Sequence, residues 1–233
     1  MQTAWVDLEA DDRSSLRAYV ARPDKPATRG LLLFQEAFGV NAHIRDVAER
    51  FAAQGFLAIA PELFHRTAPG FECAYSEFAK AAPHLGAITE AGLDADVRAA
   101  YKWLGGEGVG DNTAAVGYCL GGRVSFVANS AVPLKAAVSY YGGRIPTVLH
   151  RAPALTGPML FFWGGLDHHI PEDQRRSVIS GVRQAGKTFV DVEFSHADHG
   201  FFCDARPSYN AEAAAQSFSL TLTFLNAYCP THD

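Results

Sequence analysis

Apolar residues recur along this chain in two alternating rhythms. Short unbroken apolar runs bounded by turn residues read as buried strands: 30–35 (GLLLFQ), 56–60 before Pro61, 114–118, 136–140 and 159–163. Other segments place apolar residues three or four apart. The stretch 44–54 puts Ile44, Val47, Ala48 and Phe51 on one face and ends at Gly55, the pattern of a helix with a glycine stop. Segments 93–104, 121–129, 171–185 and 209–228 read as further helices, and 188–194 as a last strand. At the start, 5–8 and 15–21 read as a hairpin, and 62 to about 71 as loop. Strands alternating with helices imply parallel βαβ units with right-handed crossovers. The predicted architecture is α/β: one doubly wound, mostly parallel sheet with helices on both faces and an antiparallel N-terminal start, forming a single domain over 1–233. Such sheets place their sites beyond the carboxyl ends of the strands. The segments to inspect are therefore 35–39, 60–64, 118–121, 140–143, 163–169 and 194–201.

Composition narrows the class. With 48% apolar and 19% charged residues the chain is not of the disordered type. A net charge of −5 argues against nucleic acid or an anionic membrane as the main partner. No apolar run approaches the ~18 residues of a membrane helix. The four cysteines, Cys73, Cys119, Cys203 and Cys229, form no C-x-x-C pair, which weakens zinc-ribbon and thioredoxin readings. The first residues carry neither the basic start nor the apolar stretch of a secretory signal, so a reduced, cytoplasmic protein is expected. Neither G-x-G-x-x-G after the first core strand nor a P-loop is present, so no cofactor is expected.

The chemistry concentrates at three strand ends. Gly117-Tyr118-Cys119-Leu120-Gly121 joins a strand to a helix and has the form G-x-nucleophile-x-G, with cysteine where serine is more usual. Side chains at Gly117 or Gly121 would crowd the neighbouring strand and helix. The turn aims the sulfur outward, leaves the Leu120 N–H facing the same space, and adds the positive end of the helix dipole, which favours thiolate. The alternative is a buried structural cysteine beside a Gly-rich turn. A thiol nucleophile needs a base, and the base an orienting group. Asp167 follows an apolar strand and a Gly turn, a place that also suits a plain turn aspartate. His196 and His199 follow the last strand, and His168 and His169 adjoin Asp167. His199 is preferred because His199-Gly200-Phe201 closes the loop before the final helix, from where the base must reach the elbow. The order nucleophile, acid, His is that of α/β-hydrolases. Adjacent His168 and His169 cannot easily share one ion and have no third ligand beside them, so no metal site is expected.

These motifs, with Gln35-Glu36-Ala37-Phe38-Gly39-Val40-Asn41 and Tyr140-Tyr141-Gly142, make the sequence resemble the dienelactone hydrolase (carboxymethylenebutenolidase) family over nearly its whole length. The resemblance implies an α/β-hydrolase fold, a Cys119–His199–Asp167 triad, and an oxyanion hole from the backbone N–H groups of Ala37 and Leu120. It also implies that Glu36 meets the nucleophile in the resting enzyme and swings away when substrate binds. A carboxylate beside a thiol disfavours thiolate, which would protect the resting sulfur from oxidation. The implied reaction is hydrolysis of a small-molecule ester or lactone through an acyl-cysteine, by a monomer or small homo-oligomer.

The match departs at the substrate clamp. Dienelactone-cleaving members hold the substrate carboxylate with two arginines; the corresponding positions here are near Glu77 and at Cys203. Arg206 is a candidate replacement, although 206–209 also reads as a helix start with Pro207 near its first turn. Phe38, Tyr141, Phe64 and Trp163 are candidate pocket-wall residues, or else core. Arg45, His65 and Arg66 read as solvated. Two other functions compete: a thiol-based redox or electrophile sensor using Cys119 and Cys203, and a non-enzymatic binding module.

Overall fold

The structure, a computed structural model, describes residues 1–231. Eight strands form one sheet: β1 (Gln2–Glu9), β2 (Ser15–Arg22), β3 (Arg29–Phe34), β4 (Phe56–Pro61), β5 (Thr113–Tyr118), β6 (Ala137–Tyr140), β7 (Met159–Gly164) and β8 (Phe189–Phe194). Their spatial order is β1-β2-β4-β3-β5-β6-β7-β8. β1 pairs antiparallel with β2, and β2 antiparallel with β4; the remaining neighbours are parallel. β3 to β7 are buried throughout, which is why they appear in the sequence as unbroken apolar runs. β8 is a half-exposed edge strand, with charges at Asp191 and Glu193.

Six α-helices pack around the sheet: α1 (Ala42–Ala53), α2 (Phe78–Ala87), α3 (Glu90–Gly106), α4 (Leu120–Ala131), α5 (Glu172–Gln184) and α6 (Ala211–Tyr228). Three are capped by side-chain oxygens that accept orphan N–H groups. Asn41 accepts from Ile44, Thr89 from Gly92 and Asn210 from Ala213. The Thr89 cap starts α3 at Glu90 rather than Leu93, and the Asn210 cap starts α6 at Ala211 rather than Tyr209. Arg206 and Pro207 thus precede the helix and do not start it.

Four elements are absent from the sequence reading: α2, two one-turn 3-10 helices at Tyr75–Glu77 and Gly110–Asn112, and a longer 3-10 helix. α2 places Phe78, Ala81, Ala82 and Leu85 at helical spacing, but Pro83 stands inside it and only Ala81 is fully buried. Residues Ile145–Ala154 form a 3-10 helix punctuated by Pro146 and Pro153. His65 differs from expectation, being buried against α3, whereas Arg66 is exposed as expected and also reaches α3. Arg66 donates to both Asp96 oxygens at 2.9 and 2.8 Å, and His65 Nε2 lies 3.0 Å from Asp96 Oδ1. Arg45 is likewise engaged, by the Val40 carbonyl and by Glu72, each at 2.6 Å.

Candidate active site

The chain leaves β3 toward β4 on one side of the sheet and leaves β5 toward β6 on the other, so the carboxyl ends of β3 and β5 form the switch point of the strand order. Cys119 stands there, between β5 and α4, with φ 54° and ψ −112°. A non-glycine residue in that region costs about 1–3 kcal/mol and persists only where its surroundings over-determine it. Three backbone hydrogen bonds do so: Cys119 N–H to Tyr140 O at 3.0 Å, Gly121 N–H to Gln35 O at 2.9 Å, and Gly122 N–H to Cys119 O at 3.0 Å. A Cβ on Gly117 would stand 1.9 Å from the Gly121 oxygen, and one on Gly121 would stand 2.2 Å from the Phe34 oxygen. Strand, helix and β3 therefore touch through main chain alone. Among the described residues, neither the Leu120 nor the Ala37 N–H donates to a protein acceptor. Leu120 is the first residue of α4, where no intrahelical acceptor exists.

Asp167 and His199 meet across the ends of β7 and β8. His199 Nδ1 lies 2.7 Å from Asp167 Oδ2. The other Asp167 oxygen accepts from the backbone N–H groups of His169 at 2.8 Å and Ile170 at 3.2 Å. The aspartate thus serves its turn with one oxygen and His199 with the other. Burial alone would raise its carboxyl, but His199 and those N–H groups hold it below its ordinary value. Burial also works against a charged His199 ring. The adjacent Cys119 sulfur and the Asp167 carboxylate outweigh it and push the imidazole up to about 10. The Tyr141 ring stands edge-on to His199, 5.1 Å between centroids, and His169 does the same at 5.3 Å. His168 and His196 are exposed.

A second wall rises from the end of β3. Glu36 is buried, and its Oε1 accepts from Arg206 Nη1 at 3.0 Å. Its Oε2 has no partner. Among the described residues no hydrogen bond joins Glu36 to Cys119; the carboxylate is engaged by Arg206 instead. The Arg206 guanidinium lies 5.8 Å from the ring centroids of both Phe38 and Tyr75. Cys203, where an arginine clamp would stand, is fully buried. Burial, and Glu36 next, push its thiol up to about 11. Glu77 is on the surface, paired with Lys80 at 2.6 Å. Outside this wall a cleft of about 720 Å³ is lined by Tyr75, Ser76, His169, His199, Arg206 and Ser208 among others.

Phe38 flanks this wall, and Tyr141 is fully buried with an unpartnered hydroxyl. Phe64 and Trp163 are core. Phe64 packs on Phe71 and His84, while Trp163 stacks on Phe161 and donates to Asp191 at 2.7 Å. Tyr75 was not visible in the sequence reading, because 72–77 carries no periodic pattern. Its only foreshadowing is Asn41, whose Nδ2 donates to the Tyr75 hydroxyl at 3.0 Å.

The doubly wound sheet, with a nucleophile-type elbow at its switch point, places the chain in the α/β-hydrolase class. Comparison with known proteins narrows this. The chain belongs to the dienelactone hydrolase family, whose model matches residues 16–229. It is similar to the carboxymethylenebutenolidase of Pseudomonas putida, 30% identical over 237 residues and covering 97% of each chain. A Synechocystis sp. protein provisionally named carboxymethylenebutenolidase is 34% identical over 203 residues, covering 81% of each. Among solved structures, a provisionally assigned dienelactone hydrolase of Klebsiella pneumoniae superposes with a TM-score of 0.86 at 29% identity, covering 98% of this chain and 100% of that one. The chain is accordingly an ester or lactone hydrolase. Among the described residues no helix is long and apolar enough to cross a membrane.

Proposed function

We propose that this chain, acting as one domain, hydrolyses a small ester or lactone through an acyl-Cys119 intermediate. The observation that carries the reading is the 2.7 Å His199–Asp167 contact beside a positive-φ cysteine. Asp167 orients the ring and favours its charged form, so that a thiolate–imidazolium pair can form with Cys119. The thiolate adds to the carbonyl carbon, and the oxyanion is received by the free N–H groups of Ala37 and Leu120. Each such donor is worth on the order of 3 kcal/mol in the transition state. The carbon–oxygen bond to the leaving group then breaks, and His199 gives that oxygen its proton. Water, deprotonated by His199, attacks the thioester and releases the acid and the thiol.

Arg206 and Glu36 set what the cleft receives. A substrate anion that takes Arg206 frees Glu36, whose second oxygen already lacks a partner, to accept the Cys119 proton and to return it to the sulfur when the acid leaves. Phe38 and Tyr141 shape the apolar side. The protonated, buried state of Cys203 weighs against a Cys119–Cys203 redox sensor. The free thiols support a reducing, cytoplasmic setting; a monomer or small homo-oligomer suffices because every residue invoked comes from one chain.

The test is hydrolysis of p-nitrophenyl acetate and of a dienelactone by the parent and by Cys119→Ala. Loss of both activities in the variant is expected, at least about 10⁴-fold in kcat. Turnover of the simple ester alone would keep the mechanism and remove the dienelactone. Equal rates in parent and variant would end the reading.

A further inference from the structure

Near Glu36, three residues that the proposed reaction does not use come together. His43, in the first turn of α1, and Cys203 and Asp204, in the turn after Phe202, each bring one ligand atom to within 4.8 Å of the others. The His43 side chain is 2% exposed, and neither ring nitrogen has a hydrogen-bond partner. A buried imidazole without a partner is costly, and in a native protein it calls for a reason. Its Nδ1 stands 3.6 Å from Asp204 Oδ1. Bonds of about 2.0–2.2 Å from nitrogen and oxygen to a tetrahedral zinc ion separate the two ligand atoms by roughly 3.4 Å. The gap already present thus fits an ion and is too long for a direct hydrogen bond.

We propose that His43, Cys203 and Asp204 form a Zn²⁺ site, with water as the fourth ligand. The donor set of imidazole, thiolate and carboxylate suits zinc, and excludes magnesium and calcium, which take oxygen. Binding replaces the thiol S–H bond with S–Zn and releases one proton to solvent. Asp204, half exposed, gives the ion its path from solvent. The charges around the site are opposed in pairs, Glu36 with Arg206 and Asp46 with Arg50, so the attraction for a cation comes from the ligands themselves. Glu36 and Asp46 act on His43 from the acidic side. Arg50 opposes them, 3.6 Å from Asp204 Oδ2, and leaves Oδ1 to the ion. On Cys203, Glu36 is opposed by Arg206. Sequence reading could not find the site, because His43 and Cys203 lie at opposite ends of the chain.

The experiment uses Cys119→Ser, so that the active-site sulfur cannot ligate. Zn²⁺ is titrated against a chromophoric chelator, and Co²⁺ is added separately to read thiolate-to-metal absorption. One equivalent of Zn²⁺ is expected, together with a thiolate band. Adding Asp204→Asn or His43→Gln should weaken binding more than about 100-fold, beyond the 10–100-fold that outer-shell groups carry. Adding Cys203→Ser should remove the band. Asp204 is at the surface, so its variant keeps the test valid if the buried ones misfold. Zn²⁺ should raise the Tm of Cys119→Ser and leave that of the Asp204→Asn double variant unchanged. No Zn²⁺ binding, equal binding in the Asp204→Asn variant, or a band that survives Cys203→Ser would overturn the site.

Discussion

The two walls of the cleft are built differently. On the elbow wall, made from the ends of β5, β7 and β8, position comes from the main chain. Cys119 is fixed by backbone hydrogen bonds, both Asp167 oxygens are engaged, and His199 is held through Nδ1. On the wall from β3 and the 202–208 turn, position comes from side chains. Buried polar atoms without a partner occur on both sides, among them the Tyr118 hydroxyl and Arg123 Nε near the elbow, but here they include a carboxylate oxygen, Glu36 Oε2, and both nitrogens of nearby His43. Unpaired buried polar atoms are rare in native proteins and mark where something else binds or moves. The first wall is organised to react, and the second retains capacity to receive a ligand.

The largest effect that would sharpen this contrast is on the elbow wall. Asp167→Asn keeps the shape of the relay but favours the wrong tautomer, and should lower kcat by about 10⁴-fold. The same relay sets the pH behaviour. His199 is raised from an unfolded value of about 6.5 to about 10. Its charged form therefore contributes stability that is fully present below about pH 6.5 and is lost as pH rises through about 10. The rate of acylation should fall on the same alkaline limb, and a pH–rate profile of kcat/KM with its limb near neutrality would contradict the coupling.

Next in size is Gly121→Ala. Its Cβ would strike the Phe34 oxygen, so the variant should lose more than about 3 kcal/mol in urea unfolding. A neutral result would mean that the elbow is not fixed by main-chain contact. On the other wall, Arg206→Gln strands a buried carboxylate and should cost about 3 kcal/mol, which Glu36→Gln in the same chain largely restores. Failure of the double variant to recover would show that the pair does more than neutralise charge. The smallest change is Tyr75→Phe, which removes the acceptor of Asn41 Nδ2 and should cost about 1 kcal/mol.

The same contrast explains what the sequence made legible. The buried strands show as unbroken apolar runs because both faces of β3 to β7 are covered. The elbow and the acid are visible because glycines and a turn aspartate sit next to the reactive atoms in the chain. The other wall is assembled over distance: Glu36 and Arg206 are 170 residues apart, and no local pattern pairs them. The position of Arg206 before a proline suggested a helix start because Pro207 is a local signal, whereas the Glu36 contact is not. α2 escaped because Pro83 inside its ten residues is a local signal against a helix, although Phe78, Ala81, Ala82 and Leu85 keep helical spacing.

The close approach of Gly117, Gly121 and Phe34 has a consequence for how such a protein can diverge. Because the sulfur is located by carbonyl oxygens and amide groups, side chains around the cleft can change without displacing it. The cost of substitution is then partitioned: a side chain added at Gly117 or Gly121 would meet main chain, whereas Arg206 meets the side chains of Glu36, Phe38 and Tyr75, which can change with it. A lineage built this way can search new substrates while its reaction chemistry stays constant.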